Sequence, residues 1–491
     1  MARPDTGSMR MVAACLMQLP SPPRRNVFRE WAGGMGTSLA SDRTVPGHDP
    51  GYYDIPFSTL LYVARVLEQE GVPYRYVDGQ ASAAFDRDAF LRGIAADQPK
   101  VLVTVVNIPS LEPDLELIGA ARAAAPGLRV ILLGPTAKWF KDRILREGHA
   151  DFVMEEAEEL LTGRNVAKLV AGEDVSALEG GSAWDGAALR AQPSRTAMKT
   201  LDFVDFPAYH LLDFSRYESD YYFGEKMRYA TVFTTKGCPY KCGYCPYPFG
   251  FGNRLIYRSP AKVGDDIERL VREHGVKQIL FRDQVFTINR KHAAAVCEEL
   301  IRRDLGIRWV CETRYDVVDE AMLDLMYRSG CREIHYGLES GDPEMFGAVA
   351  KSDGPQSLDL FEKVIGWTKA RGIRCHTHLI VGMPDESWET VHNTGRWLRK
   401  VKPDSIQLAY FMPYPGTPMH KELKESMALG DPDAIDWEDF GSFTRPVMPT
   451  KHMTKDEVKR AKELLSWDLR YSLMERLGMR VKRMLGLRAA A

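Results

Sequence analysis

The sequence predicts an α/β protein with two domains in series: a doubly wound domain, then a partial barrel of six β/α units, with a helical segment at the end. Two observations predict this fold. Apolar stretches of strand length alternate with longer amphipathic stretches of helical period along most of the 491 residues, as in parallel sheets covered by helices. A Gly-, Ala- and Ser-rich stretch with weak periodicity, at about 170–200, separates the two series.

Length, charge and cysteine content narrow the class of protein. The net charge of -2 gives no indication of a nucleic-acid partner, and no apolar run approaches the roughly 18 residues of a membrane span. The apolar stretch near the N-terminus is broken by Gln18 and lacks a clear cleavage site, so we expect a buried strand there rather than a signal peptide. Eight cysteines, five of them scattered among apolar neighbours, indicate a reduced, cytoplasmic protein with one metal site.

Residues 1–168 are expected to form the doubly wound domain, in a flavodoxin-like arrangement. A first strand is expected between Met9 and Met17, and a helix from Ser58 to Glu70, where Gly71 ends it. Further strands are expected from Pro73, Pro99 and Leu128, with a helix from Leu111 and a last, weaker unit from Ala150.

The carboxyl ends of these predicted strands carry polar and turn residues. Ligands of doubly wound sheets bind in the crevice beyond those ends. The sequence therefore predicts a ligand site made by Asp78, Asn107, Gly134, Pro135 and Thr136.

The rest of the chain divides into a linker at 169–225, the barrel at 226–430 and a helical extension at 431–491. Strands and helices alternate six times in the barrel segment, and active-site residues are expected at the carboxyl ends of its strands. The extension is basic towards its end (RVKRMLGLR). A solvated amphipathic helix that packs on the barrel explains this, and a surface for a membrane or a partner is the alternative.

Three cysteines fall within eight positions, directly after the first barrel strand. Thiolates are the preferred ligands of iron–sulfur clusters, and the spacing of Cys238, Cys242 and Cys245 lets one loop hold three corners of a cubane. Three ligands for four irons leave one iron open to a substrate's amino and carboxylate groups. A zinc site would normally have a fourth Cys or His nearby, and three structural cysteines are the remaining alternative.

The spacing C-x3-C-x2-C after the first strand of a six-unit β/α segment resembles the radical SAM superfamily. Tyr244, the aromatic residue before the third cysteine, matches the family pattern as well. The resemblance implies a 4Fe-4S cluster whose open iron binds S-adenosylmethionine (SAM). It also implies reductive cleavage of SAM to a 5′-deoxyadenosyl radical.

Later strand ends agree in position with the family's SAM site. Asp283 stands where the family holds the SAM amino group, Arg314 where a guanidinium can hold its carboxylate, and Glu339 near the ribose. A structural role is the alternative for each. The stretch HLIVGMPDES resembles the family's G-x-I-x-G-x-x-E element, in which a small residue lets the backbone approach adenine; its matching residues are Ile380, Gly382 and Glu386.

The order of the two domains resembles the subfamily that pairs a cobalamin-binding domain with a radical SAM domain. This resemblance covers roughly residues 9–420, and it implies that Asp78, Asn107 and the Gly134-Pro135-Thr136 turn lie at the cobalamin. In many cobalamin domains, a histidine in a D-x-H-x-x-G motif coordinates the cobalt. This chain has no such motif, and the flanks of His48 do not match it. Members of the subfamily often lack the motif, so cobalamin is expected without a histidine ligand. An α/β domain with no cofactor is the alternative.

The resemblance as a whole implies a cobalamin-dependent radical SAM methyltransferase. It would transfer a methyl group from SAM through methylcobalamin to an unactivated carbon of a small natural-product-type (antibiotic or secondary-metabolite) intermediate, with a flavodoxin or ferredoxin as reductant. A non-methylating enzyme of the same subfamily, such as an oxidative cyclase or a rearrangement catalyst, and a catalytically idle cofactor-binding protein are the alternatives. Candidate substrate-lining residues are His335, His376, His378, Tyr410, Tyr414 and Thr417, each of which can also be a satisfied interior polar group.

Overall fold

The computed structural model describes residues 12–22, 26–39, 55–56, 58–80, 85–156, 159–195, 198–219, 223–349 and 357–470. The predicted strand start at Met9, the residue His48 and the basic C-terminal stretch lie outside these described residues. None of the helices in the described ranges combines the length and apolarity that crossing a bilayer requires.

The first domain is built on a seven-stranded sheet with helices on both faces. Its elements are β1 (Ala14–Gln18), β2 (Asn26–Phe28), β3 (Thr37–Leu39), α1 (Ser58–Gln69), β4 (Tyr74–Asp78), α2 (Arg87–Asp97), β5 (Val101–Val105), α3 (Leu111–Ala124), β6 (Arg129–Leu133), α4 (Pro135–Trp139), α5 (Lys141–Arg146), β7 (Phe152–Met154), α6 (Glu159–Val170), β8 (Gly181–Trp184) and β9 (Leu189–Gln192).

The strand order β4-β1-β5-β6-β7-β8-β9 confirms the flavodoxin-like prediction. Its first five strands are parallel and follow one another in the chain order 2-1-3-4-5. Side chains alternate between the two faces: Leu16 and Val103 pack under α1 and α6, whereas Met17 and Leu102 pack under α2, α3 and α5. Because both faces of the sheet are buried, its strands consist of nearly continuous apolar residues in the sequence.

Part of the predicted linker is built into the first sheet. Strands β8 and β9 pair antiparallel with β7 and with each other, and extend the sheet beyond its parallel part. Gly181 is required there, because a Cβ atom would lie 2.2 Å from the carbonyl oxygen of Val153 on β7. Small residues predict a flexible connector in the sequence, whereas in the fold they allow close backbone pairing.

The second domain is an open sheet of six parallel strands, which confirms the predicted partial barrel. Its elements, with those of the C-terminal extension, are β10 (Glu218–Ser219), β11 (Met227–Val232), β12 (Thr235–Lys236), α7 (Tyr247–Phe251), β13 (Ile256–Tyr257), α8 (Pro260–His274), β14 (Gln278–Phe281), α9 (Arg290–Arg303), β15 (Arg308–Thr313), α10 (Glu320–Arg328), β16 (Cys331–Glu339), α11 (Pro343–Ala348), α12 (Leu358–Ala370), β17 (Arg374–Val381), α13 (Trp388–Val401), β18 (Ser405–Tyr410), α14 (Pro418–Ser426) and α15 (Lys455–Arg470).

The order β10-β11-β14-β15-β16-β17-β18 places each of the six parallel strands beside its successor in the chain. The short strand β10 is the exception, because it pairs antiparallel with β11 at the edge. This arrangement brings the carboxyl ends of all six strands to one rim.

Arg258 holds the connection between the domains against the barrel. Its side chain is fully buried between β13 and α8, and it donates two hydrogen bonds to the carboxylate of Asp266. It also donates to the backbone carbonyls of Leu201, Val204 and Asp205. A single guanidinium thus satisfies both a buried acid and the carbonyls of the connecting chain.

We expect Arg258→Met to lower the free energy of unfolding of the barrel by about 3–5 kcal/mol, because it leaves the Asp266 carboxylate buried without its partner. Chemical denaturation followed by circular dichroism measures the change. Arg302→Met removes the pair of the exposed Arg302 with Glu299 and is the matched control, with an expected loss much smaller than that of Arg258→Met. Equal losses in the two variants would contradict this account of the buried pair.

Candidate active site

The cysteine loop leaves β12 and returns to the barrel through α7. Gly237, directly before it, has φ of +90°, and a Cβ atom there would lie 2.0 Å from the carbonyl oxygen of Arg254. The position therefore requires glycine. The N–H of Cys238 donates to the carbonyl of Gly252 at 3.1 Å and closes the loop at its base.

The three thiols of this loop, Cys238, Cys242 and Cys245, are free of disulfide bonds and line one cavity. Burial raises the pKa of Cys238 to about 11 and also raises the pKa of Cys245. Backbone N–H groups of Tyr240 and Tyr247 donate to these two sulfur atoms and act in the opposite direction. Thiolates in such surroundings need a metal's positive charge, so the donor set fits an iron–sulfur cluster.

The cavity beside the thiols has a volume of about 320 Å³ and lies at the carboxyl ends of the barrel strands. Its opposite wall comes from the first domain, through Trp31, Gly33 and Thr37. Ser442 of the C-terminal extension completes this wall, and its hydroxyl lies 2.8 Å from that of Thr37. Both domains and the extension therefore enclose one space.

Most of the predicted barrel residues lie on this cavity. Those that line it are Cys238, Cys242, Tyr244, Cys245, Arg314, His335, Glu339, His376, His378, Ile380, Tyr410 and Tyr414.

Tyr244 and Glu339 form a direct contact across the cavity. The Tyr244 hydroxyl donates to Glu339 Oε1 at 2.7 Å, and burial raises the pKa of the phenol, so it remains a donor. Glu339 ends β16 with φ of +66°, a backbone conformation that non-glycine residues seldom adopt. The carboxylate is thus fixed beside the third cysteine. Its role near the SAM ribose stays a prediction.

Arg314 faces the cavity with its guanidinium already engaged. It donates to Asp316 Oδ1 at 2.8 Å and stacks over the ring of Tyr240 at 4.0 Å from the centroid. These contacts orient the side chain at the cysteine loop. Its role as a clamp for the SAM carboxylate stays a prediction.

Asp283 does not line the cavity, contrary to the position expected for a SAM ligand. Its carboxylate accepts hydrogen bonds from the Thr234 N–H at 3.0 Å and from the hydroxyls of Thr234 and Thr235 at 2.6 Å. Burial raises its pKa even so. The side chain therefore binds the chain that leads into the cysteine loop, and its neighbour Gln284 faces the cavity instead.

Gly382 and Glu386 also stand apart from the cavity. Gly382 has φ of +89°, and a Cβ atom there would lie 2.7 Å from Val458 on α15. Its N–H donates to Glu386, whose buried carboxyl has a pKa raised to about 8 by desolvation. In this chain the motif seats the C-terminal helix, and of its residues Ile380 faces the cavity.

Of the remaining substrate candidates, Tyr410, Tyr414 and the three histidines line the cavity, whereas Thr417 does not. Tyr410 lies on the cavity with the ammonium of Lys462 at 4.1 Å from its ring, and Tyr414 donates to the carbonyl of Gly36 at 3.4 Å. Thr417 is instead the N-cap of α14, since its hydroxyl accepts from the His420 N–H at 3.2 Å. The three histidines lie together on β16 and β17 and line the cavity.

Sequence reasoning missed a charged group in the cavity wall. Arg282 lies 3.7 Å from a carboxylate oxygen of Glu30 in the first domain and 3.7 Å from one of Glu312 on β15. Burial raises the pKa of Glu30. Arg282 and Gln284, just beyond the end of β14, line the cavity, whereas Asp283 between them does not.

The predicted ligand residues of the first domain lie in three places. Asn107 is fully buried and holds the loop of residues 29–37. Its Nδ2 donates to the carbonyls of Arg29 at 3.0 Å and Gly34 at 2.9 Å. Thr136 donates to a carbonyl of the same loop, that of Met35. Asp78 accepts a hydrogen bond from the hydroxyl of Tyr217.

Gly134 and Pro135 line a second, narrow cavity of about 40 Å³ between the domains. Gly134 has φ of +94°, and a Cβ atom there would lie 3.0 Å from Val105. The far side of this cavity is formed by Phe251 on α7 and by a buried ion pair between Lys236 and Glu159.

Comparison with known proteins agrees with this geometry. Residues 232–398 match the model of the radical SAM superfamily, a range that begins at the end of β11 and contains the cysteine loop and the strand ends above. This part of the chain is a radical SAM domain, which indicates a radical SAM enzyme. The three cysteines lie where the cluster loop of that superfamily is expected.

Two curated relatives and one solved structure extend the likeness to more than four fifths of the chain. An uncharacterized methyltransferase of Pyrococcus horikoshii is 25% identical over 82% of this chain and 84% of its own length. The anaerobic magnesium-protoporphyrin IX monomethyl ester cyclase of Rubrivivax gelatinosus is 26% identical over 82% and 71%. The radical SAM methyltransferase TsrM of Kitasatospora setae was solved with cobalamin and a [4Fe-4S] cluster bound. It is 18% identical to this chain, and the two structures align with a TM-score of 0.66 over 85% of this chain and 76% of that one. The two proteins therefore share the fold.

We expect Glu386→Gln to flatten the pH dependence of stability. Burial raises the pKa of Glu386 to about 8 in the folded protein, well above the ordinary value of about 4.3 in the unfolded chain, so the folded state holds the proton more tightly. Wild-type stability therefore falls by about 1.4 kcal/mol per pH unit, relative to the variant, as the pH rises between these two values. Urea unfolding of both proteins at pH 5, 6, 7 and 8 measures the difference.

The control for this experiment is Glu389→Gln, which changes an exposed carboxyl on α13. It should keep the wild-type pH dependence. A constant difference between wild type and Glu386→Gln across the four pH values would show that the buried carboxyl is already ionised.

Proposed function

We propose that this chain is a cobalamin-dependent radical SAM methyltransferase that methylates an unactivated carbon of a small natural-product-type intermediate. The observation that carries the proposal is the shared cavity. Its walls include the cysteine loop and the loop of residues 29–37, which lies over the carboxyl edge of the first sheet. A cofactor held at that edge would face the SAM site, as transfer between the two requires.

Residues of the barrel would hold the cluster and SAM. Cys238, Cys242 and Cys245 are the thiolate donors for three irons, and the fourth iron is left for SAM. The Glu339 carboxylate, fixed by Tyr244, can accept hydrogen bonds from the ribose hydroxyls, and Arg314 offers its guanidinium at the cysteine loop.

The carboxyl edge of the first domain fits cobalamin in its chemistry. Gly134 leaves the turn without a side chain beside the narrow cavity, and one oxygen of the buried Glu159 has no hydrogen-bond partner within the described residues. A nucleotide tail needs more room than about 40 Å³, so α7 would move away from this edge on binding. Phe251, on α7, lines the cavity at this point.

Bound together, the cofactors supply a methyl group and a radical that removes a hydrogen atom from carbon. The chain's residues position the substrate and keep water away from it. Leu379, Ile380 and Phe411 give the cavity an apolar wall, while Gln407 and the histidines can orient polar groups. A mixed lining of this kind suits a small molecule that carries both apolar and polar groups.

A second function is favoured by one comparison. The cyclase of Rubrivivax gelatinosus is as similar to this chain as the methyltransferase of Pyrococcus horikoshii. An oxidative cyclase of the same cofactor class would use the same cavity and leave no methyl group in the product. A reductant such as flavodoxin or ferredoxin, and a cytoplasmic location, stay predictions from the sequence.

We expect the anaerobically reconstituted enzyme to form 5′-deoxyadenosine from SAM when it is given a reductant. With a turned-over substrate, methyl-labelled SAM should transfer its label to the product, because the proposed reaction makes a new carbon–methyl bond. Liquid chromatography with mass spectrometry measures both products.

The control is Cys242→Ala, which removes one thiolate and should abolish 5′-deoxyadenosine. Cys297→Ala, at a buried cysteine of α9, should retain it. A product without the label would favour the cyclase or a rearrangement, and a wild-type enzyme that forms no 5′-deoxyadenosine would be a catalytically idle protein.

We also expect Gly134→Ala to lower the cobalamin bound per chain while the iron content stays unchanged. The new methyl group meets Val105 at the edge where the cofactor would lie. Gly127→Ala is a matched control, since Gly127 has the same φ of +94° and no neighbouring atom within 4 Å. Cobalt and iron analysis after reconstitution with hydroxocobalamin measures the effect, and equal cobalt in the two variants would remove Gly134 from the site.

A further inference from the structure

Three histidines converge inside the barrel, apart from the cysteine loop. His335 lies on β16 directly beside His376 in the register of β17, and His378 follows two residues later on the same face. The ring centroids of His335 and His376 are 4.4 Å apart, and those of His376 and His378 are 4.8 Å apart. One nitrogen from each ring can be chosen so that all three atoms lie within 4.8 Å of one another.

Polar partners hold two of these rings from behind. His335 Nε2 lies 2.8 Å from Glu333 Oε1, and the other oxygen of that carboxylate lies 3.2 Å from the guanidinium of Arg374. His376 Nδ1 lies 2.7 Å from the hydroxyl of Ser405. A carboxylate or hydroxyl behind the ring is the arrangement that fixes the orientation of metal-bound histidines.

The third histidine, His378, has a buried ring nitrogen that is available to a ligand. The Nε2 atom of His378 is buried and has no hydrogen-bond partner within the described residues. A buried, unpartnered polar nitrogen costs free energy unless a ligand satisfies it. His378 also lines the large cavity, as do the other two histidines, so a ligand between the rings would be open to that cavity.

We propose that His335, His376 and His378 bind one divalent transition-metal ion of the zinc or ferrous class, with an open coordination position that faces the cavity. Imidazole is a preferred ligand of these ions, whereas an iron–sulfur cluster takes thiolates. Three nitrogens around zinc at about 2.0–2.1 Å lie roughly 3.3 Å apart, so small ring rotations close the site. Three protein ligands and an open fourth position are typical of zinc sites that bind a substrate or water.

The open position faces the same space as the cysteine loop. It would take an oxygen or nitrogen donor of the substrate and hold the substrate's carbon at the SAM site, a role that rests on the proposed function. The substrate class that this predicts is a small molecule with a metal-coordinating group, such as a carboxylate, a hydroxyl or an azole nitrogen. The binding of the metal ion itself does not depend on SAM or cobalamin.

The test uses the full-length protein with its cluster reconstituted anaerobically, so that the cysteine thiolates are already occupied. Titration with zinc chloride, followed by calorimetry and metal analysis, should show one zinc ion per chain in addition to the cluster iron. X-ray absorption at the zinc edge should show only nitrogen and oxygen neighbours at about 2.0–2.1 Å and no sulfur at about 2.3 Å.

Variants separate the site from non-specific binding. His376→Ala and His378→Ala should each weaken zinc binding at least tenfold with unchanged cluster iron, and Glu333→Gln should weaken it by about 10–100-fold through the orientation of His335. His392→Ala, at an exposed histidine of α13, is the matched control and should bind zinc as wild type does.

Wild-type protein that takes up no zinc would overturn the proposal. Sulfur scattering, a fourth protein ligand, or an equal loss of zinc in His392→Ala would do so as well. Zinc uptake and 5′-deoxyadenosine formation are measured separately, so failure of the metal site and failure of the methyltransferase proposal are distinguishable.

Discussion

A buried ion pair between Lys236 and Glu159 ties the cysteine loop to the first domain. Lys236 stands two residues before Cys238, and Glu159 begins helix α6. Both side chains are almost completely buried, at 4% and 2% exposure. Loss of either partner would leave a buried charge without compensation, which costs far more than the pair itself contributes. This contact therefore fixes where the cysteine loop sits relative to the carboxyl edge of the first sheet.

The shared cavity depends on that placement. The loop of residues 29–37 is held on one side by Asn107 and on the other by α7, where a Cβ atom on Gly33 would lie 2.6 Å from the backbone of Tyr247. The first domain thus reaches the space at the carboxyl ends of the barrel strands through this loop. Each sheet alone offers a ligand site of an ordinary kind, but the joint cavity is enclosed by residues of both domains.

Local signals in the sequence predict the strands, helices and cysteine loop, whereas the direction of each side chain comes from the structure. Asp283 and Gly382 match family positions in the sequence, yet hydrogen bonds to Thr234 and packing on Val458 turn them away from the cavity. Thr417 was a substrate candidate and is a helix cap. The small residues at 181–183 predict a linker in the sequence, because small size suits both a flexible connector and close strand pairing.

The sequence by itself determined the order of strands and helices, the flavodoxin-like and partial-barrel folds, and the three-cysteine loop, because periodicity and spacing are properties of the chain. Only the tertiary structure decided which side chains meet. The register between β16 and β17 brings three histidines together, and the packing of the domains places Trp31 on the same cavity as the cysteines. Such contacts join residues far apart in the chain, so no local pattern encodes them.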